Sequence, residues 1–305
     1  MSLPSSPPWP RESILAAARA MAGGAGFAPA LLAALTSPHA DSRQVVAAIH
    51  NAPGIALRVL KVANSAFYGH SGRVDALDRA VQVLGLDAVR TMASAACLDR
   101  VLPGADSAGG GPRAADLLNH SLATAVLARD LALLLLPERC ADAFLAGLLH
   151  DLGYRMVQRL AGAPAGGCAG TGLLGRAQER AQEQAHDSGH HGEHDGATIA
   201  RLWHGPCAAL VFESWSLPGW LVGVVACHHR PADAAAELGT ELGALTRIVA
   251  AAEHLAEASG HGLAEEPLSE EPWPLPELER DSPALTALRQ QLPRSLAALN
   301  LALAC

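Results

Sequence analysis

His150 and Asp151 stand side by side at the end of an apolar run, Ala143-Phe144-Leu145-Ala146-Gly147-Leu148-Leu149. Other groups in the chain carry donor atoms that can join them: His120 before the pair, and His204, His228, His229 and Glu253 after it. Imidazole nitrogens and carboxylate oxygens together suit Fe, Mn, Zn, Ni or Mg with positions left open to water. One such ion, or two about 3.5–4 Å apart, can activate a water and hold a phosphoryl oxygen. The chemistry in view is hydrolysis of a phosphate ester. One division gives His120, His150, Asp151 and Glu253 to a first ion and His204, His228 and His229 to a second. A buried His-Asp pair is also a good structural hydrogen-bond unit, and the residues alone leave both readings open.

Helices must position these groups. Half of the residues are apolar and only 4% are aromatic, so the core is built from Ala, Leu and Val. High Ala and Leu with no useful alternating run predicts an all-α chain. The pattern predicts short helices over 11–21, 29–35 and 41–50, with Asp41 and Ser42 as N-cap candidates. A helix follows from Pro53 towards Tyr68, then two more over 75–84 and 87–101. His120 falls on a long helix from Arg113 to Leu136, and His150-Asp151 on one from Cys140 to Leu160. Further helices are predicted over 206–214, 218–230 and 240–259, and over 282–304 with an interruption at Pro293. Residues 1–10 read as a disordered leader, 11–102 as an N-terminal lobe and 103–112 as a Gly/Pro/Ser linker. A helical bundle spans 113–260, and an acidic loop and terminal helix span 261–305.

Composition narrows the function classes. The formal net charge of −8 argues against general attraction to nucleic acid or anionic lipid. Six scattered cysteines without a C-x-x-C pair fit a reduced, cytoplasmic protein. The Pro-rich start lacks the apolar core of an export signal, and no uninterrupted apolar run reaches the roughly 18 residues of a membrane span. No Walker-type phosphate loop is present. Asn64-Ser65 suit the pinning of a turn through side-chain to backbone bonds. Phe67 and Tyr68 read as core anchors, and the cluster His186, His190, His191 and His194 as a solvated loop.

Two blocks carry a family resemblance. Leu118-Asn119-His120-Ser121 with Gly147-Leu148-Leu149-His150-Asp151-Leu152-Gly153 resembles the HD phosphohydrolase superfamily. Trp215-Ser216-Leu217-Pro218 with His228-His229-Arg230-Pro231 is similar to a later motif of that superfamily, and His204 falls where it expects an intervening ligand. In the first half, Leu57 to Gly69, with Asn64-Ser65-Ala66-Phe67-Tyr68-Gly69 at its end, then Ala80 to Gly85, resembles the HDOD signature. The resemblance implies two helical lobes, the second an HD-like bundle. It implies a stand-alone bacterial signal-transduction module that binds signalling proteins, or a nucleotide or cyclic dinucleotide, and not nucleic acid or membrane. The catalytic relatives carry a Lys soon after the His-Asp pair; here Gly153-Tyr154-Arg155 stand there, which makes Arg155 the candidate phosphate contact. Glu253 stands where the superfamily usually has Asp.

Overall fold

The computed structural model describes residues 9–23, 28–64, 74–101, 113–161, 196–263 and 272–303. Every regular element among them is helical. The start up to residue 8, Ser65, Phe67, Tyr68, the linker 103–112, and the Gly- and His-rich stretch from 162 to 195 lie outside the described residues.

α1 (Arg11–Gly23), which the sequence groups with the first lobe, packs instead on helices of the bundle; the lobe opens with α2 (Ala28–Thr36) and α3 (Ser42–His50). Asp41 caps α3. Its carboxylate accepts from the Gln44 N–H at 2.8 Å, and the Gln44 side chain accepts from the Asp41 N–H at 2.9 Å. Two otherwise orphaned donors are thus satisfied reciprocally. Pro53 opens α4 (Pro53–Ala63) at its first turn, where a missing N–H costs nothing.

Helix α4 stops short of Tyr68 because Asn64 turns its amide to other work. Its side-chain N–H groups donate to the carbonyls of Leu60 (2.7 Å) and Val74 (2.6 Å), and its side-chain oxygen accepts from the Val74 N–H (2.8 Å). The pinning expected of this residue is therefore present, and it ties together the two ends of the 65–73 segment. An Asn64→Ala variant leaves both main-chain groups of Val74 without that partner. A loss of about 1–3 kcal/mol is expected in urea unfolding; an unchanged midpoint would show that water replaces the clamp at no cost.

α5 (Leu77–Leu84) and α6 (Leu86–Val101) complete the lobe. The bundle follows with α7 (Ala114–Leu135), a 3-10 turn (Pro137–Arg139), α8 (Cys140–Leu149), α9 (Leu152–Ala161), α10 (Gly196–Ser214), α11 (Gly219–Cys227), α12 (Ala234–Leu238) and α13 (Thr240–Ala256). A π-helical turn (Glu257–His261) and α14 (Pro283–Leu303) close the chain.

The single helix predicted over 140–160 is two helices, broken at His150-Asp151. Pro206 does not start a helix but lies inside α10. Packing overrides the lost hydrogen bond there, since Trp203, His204, Cys207, Ala208, Val211 and Phe212 are all buried. Pro293 likewise sits within α14, on its exposed side, where water can serve the freed carbonyl. α11 ends at Cys227, leaving His228-His229 in the following turn.

In the bundle, α7 packs against α8 and α13, and α10 against α9 and α11. α1 lies on α9 and α10, while α14 lies across α4, α6 and α7. One continuous core of mainly Leu, Ala and Val runs from Trp9 to Leu299. α7 is the one unbroken described helix long and apolar enough to cross a membrane by length and composition. Few charges interrupt its Ala and Leu, and 72% of that window is buried inside the protein, so it serves as the central core helix.

Candidate metal centre

All seven sequence-predicted ligands come together. His120 projects from α7, His150 and Asp151 from the α8–α9 break, His204 from α10, His228 and His229 from the turn after α11, and Glu253 from α13. Their donor atoms form two groups. His120, His150, Asp151 and Glu253 place one ligand atom each within 4.8 Å of one another, and so do Asp151, His204, His228 and His229. Asp151 belongs to both groups. Its Oδ2 lies 3.2 Å from Nε2 of His120 and of His150, and its Oδ1 lies 3.2 Å from Nε2 of His204 and 3.7 Å from Nε2 of His228.

The hydrogen bonds fix how the rings present themselves. Nδ1 of His120 faces the His261 carbonyl at 2.7 Å, Nδ1 of His150 the Gly147 carbonyl at 2.8 Å, and Nδ1 of His228 the Val225 carbonyl at 2.7 Å. A carbonyl only accepts, so each Nδ1 carries a hydrogen and each neutral ring turns its Nε2 lone pair inward. The Nε2 atoms lie close together: that of His120 is 3.2 Å from that of His150, and that of His204 is 3.1 Å from that of His228 and 3.0 Å from that of His229. Tyr154 stacks on the His204 ring, with centroids 4.1 Å apart and planes 15° from parallel.

Among the described residues, neither Asp151 oxygen has a geometrically sound hydrogen-bond donor, although the carboxylate is buried. A buried charge ringed by inward lone pairs is costly unless cations share the space. Protons or metal ions can play that part. Burial alone opposes protonation of His120 and His228, but Asp151 and Glu253 outweigh it and hold both rings above the usual imidazole value. Burial pushes His150 down to about 4, and burial together with His228 and His204 holds His229 well below its ordinary range. Burial pushes the Asp151 carboxyl up, yet the surrounding imidazoles outweigh it and hold it well below the carboxylate range. Among these rings, His120 and His228 are the ones that Asp151 and Glu253 bias towards the protonated form, while His150 is biased towards the neutral one. The donor set fits a metal, which would take the place of those protons.

A pH profile follows for the metal-free protein. Below 6.5 an unfolded histidine takes up a proton that folded His150 and His229 refuse, so stability falls as pH drops from 6.5 towards 4. His150 alone contributes about 3 kcal/mol of that loss. His120 and His228 act in the other direction: their stabilisation is complete below 6.5 and is lost as pH rises through their folded values. The Asp151 contribution is present above 3.8 and is lost only at lower pH. Urea unfolding in a chelator from pH 4 to 8 should therefore show a maximum near neutrality. A flat profile would remove the buried, neutral imidazoles from the picture.

Residues 25–231 match the HDOD domain family. This chain belongs to the HDOD family. The match runs from the start of α2 to just past α11, so it takes in His120, His150, Asp151, His204, His228 and His229 and stops before Glu253. An HDOD domain protein of unknown function from Geobacter sulfurreducens has the same fold, at 19% identity and TM-score 0.59, covering 95% of this chain and 98% of that one. A protein of Shewanella amazonensis named provisionally as a phosphohydrolase gives 19% identity and TM-score 0.57, covering 95% of this chain and 96% of that one. A protein of Marinobacter aquaeolei named provisionally as a signal transduction protein gives 20% identity and TM-score 0.58, over 92% of this chain but 57% of that one. No curated protein matches the chain.

Arg155, the candidate phosphate contact, lies on α9 one turn beyond Asp151 and donates to the Gln158 side chain at 3.0 Å. Two groups escaped the sequence reading. The His261 carbonyl carries no residue-type signal at all. Tyr154 was visible only as part of a motif comparison, although an aromatic residue one turn from a ligand helix is a plausible ring partner in any bundle.

Proposed function

We propose that this HDOD protein is a signal-transduction module whose His/Asp centre binds one or two divalent metal ions and which acts by binding rather than by turnover. The observation that carries the reading is the convergence of six donors around Asp151 inside an almost closed core. Six of the seven side chains are buried, with Glu253 the most exposed of these at 6%; His229 alone is partly exposed. His120, His150, Asp151 and Glu253 would hold one ion, and His204, His228 and His229 a second, with Asp151 shared. A set of five imidazoles and two carboxylates favours Fe, Zn or Ni over Mg. An ion held there would supply Lewis acidity and an acidified water. The chain's own residues supply shape, exclusion of solvent and the fixed Nδ1–H tautomers that aim the Nε2 atoms. Signalling proteins are the expected partners, and Arg155 is the residue we assign to meet a nucleotide or cyclic dinucleotide.

A second reading, a metal-dependent phosphohydrolase, draws on the carboxylate shared between two ligand groups, since paired ions can clamp both attacking and leaving oxygens. Elemental analysis of untagged, anaerobically purified protein tests both readings. Near-stoichiometric metal with no hydrolysis of phosphate esters or cyclic dinucleotides supports the binding module. Metal-dependent hydrolysis that disappears in His150→Ala establishes the hydrolase. Absence of metal, equal in the wild type and in the His150→Ala/Asp151→Ala double variant, overturns both.

A further inference from the structure

His120 is held from far along the chain. Its Nδ1–H donates to the His261 carbonyl at 2.7 Å, across a sequence separation of 141 residues. That carbonyl belongs to the π-helical turn Glu257–His261, which directly continues α13, the helix that carries Glu253. Such π turns are rare and recur at functional sites. Gly260 gives the turn its direction, with a φ of 84° that side-chain-bearing residues seldom adopt. Within the turn, the Ser259 hydroxyl donates back to the Leu255 carbonyl at 2.7 Å.

The turn is in turn gripped by the last helix. Arg289 of α14 donates to the Ala258 carbonyl at 2.6 Å and to the Ser259 hydroxyl at 3.3 Å. α14 also packs against α7, the helix that bears His120, and against α4 and α6 of the first lobe. Glu253, His261 and Arg289 all lie beyond residue 231, where the HDOD match ends. One half of the centre thus depends on a segment the family pattern does not include. In the other half, His228 is oriented by the Val225 carbonyl within its own turn, and the His204 ring stacks on Tyr154.

We propose that Arg289 and the Glu257–His261 turn are positioning elements for His120, and that the C-terminal segment thereby sets the divalent-metal affinity of the His120/His150/Asp151/Glu253 half independently of the other half. The proposal rests on the metal-binding reading. Histidine ligands depend on the acceptor at their second nitrogen for tautomer and aim, and losing such support costs about 10–100-fold in affinity. Arg289 acts one contact further out, so the lower end of that range applies.

The test uses the full chain with Zn as the probe, in wild type, Arg289→Ala, Arg289→Lys and Gly260→Ala. A Cβ at residue 260 would meet nothing within 4 Å, so that variant disturbs the backbone angle and not the packing. Calorimetric titration reads the binding steps, and nitrogen NMR of the histidine rings reads the His120 tautomer in the metal-free protein. Arg289→Ala and Gly260→Ala are expected to weaken one step about tenfold, leave the other unchanged, and loosen the Nδ1–H tautomer of His120. Arg289→Lys, which keeps a donor for the Ala258 carbonyl, should recover most of the loss. Equal weakening of both steps, or an unchanged tautomer in both Arg289→Ala and Gly260→Ala, overturns the proposal. If the wild type binds no Zn, the metal reading fails, while the tautomer comparison still decides whether the turn positions His120.

Discussion

Asp151→Asn is expected to abolish metal binding in both halves of the centre at once, by more than about 100-fold, beyond the range that outer-shell partners command. Asp151 is the only residue common to both ligand groups. Its two oxygens are divided between them, Oδ2 towards His120 and His150 and Oδ1 towards His204 and His228. Asparagine keeps the shape but removes the charge, and its amide turns hydrogens on one pair of rings where an ion would sit. Single-ligand variants give the contrast. His120→Ala should weaken one half and leave the second ion in place, and His228→Ala should do the reverse. The fold is expected to survive Asp151→Asn, because asparagine fills the same space and its amide can donate to Nε2 of the neutral His150. Metal content with circular dichroism measures both effects. Retention of either ion by folded Asp151→Asn would show that the carboxylate does not join the halves.

The ligands were legible because metal chemistry demands particular residue types, and the chain offers few carboxylates within apolar stretches. His150-Asp151 and Glu253 both lie in runs of Ala, Leu and Val, where a carboxylate needs a reason to be buried. The helices were legible for the same reason as the core: Ala and Leu at helical spacing, with Asp41, Pro53 and Gly85 as punctuation. What the sequence hid is long-range. Residues 140–160 read as one continuous helix because nothing local interrupts the pattern; the break at His150-Asp151 lies where α10 comes against Gly153. The prolines misled in the opposite direction. Pro206 and Pro293 are breakers by local rules, but burial around α10 and solvent beside α14 compensate for the missing hydrogen bonds. The His261 carbonyl is beyond any residue-type argument, since every residue has one. The helix predicted over 240–259 stops just before Gly260, whose left-handed φ lies inside the π turn that continues α13, but nothing in the residue type indicates that the turn reaches back to α7.

The break at the His-Asp pair makes Gly153→Ala the most damaging glycine-to-alanine change expected among the described residues. A Cβ at residue 153 would overlap the carbonyl oxygen of His204 and lie 2.5 Å from its carbonyl carbon and 2.9 Å from its Cα. These are main-chain atoms of α10, so no side chain can swing aside. α9 and α10 must separate, and they are principal packing partners of one another and both of α1. Overpacking a core by a methylene costs about 1–3 kcal/mol when side chains can adjust. With backbone on the receiving end, about 3 kcal/mol or more is expected. The damage should also be directional. His204 moves with α10 and Tyr154 with α9, so the stacked pair and the Asp151/His204/His228/His229 group open. The His120, His150 and Glu253 ligands rest on α7, α8 and α13, which pack on each other, and that half should hold its ion in whatever fraction remains folded. Urea unfolding with metal analysis of the folded fraction gives both quantities. A near-wild-type midpoint, or equal loss from both halves, would mean that the α9–α10 contact does not set the geometry of the second half.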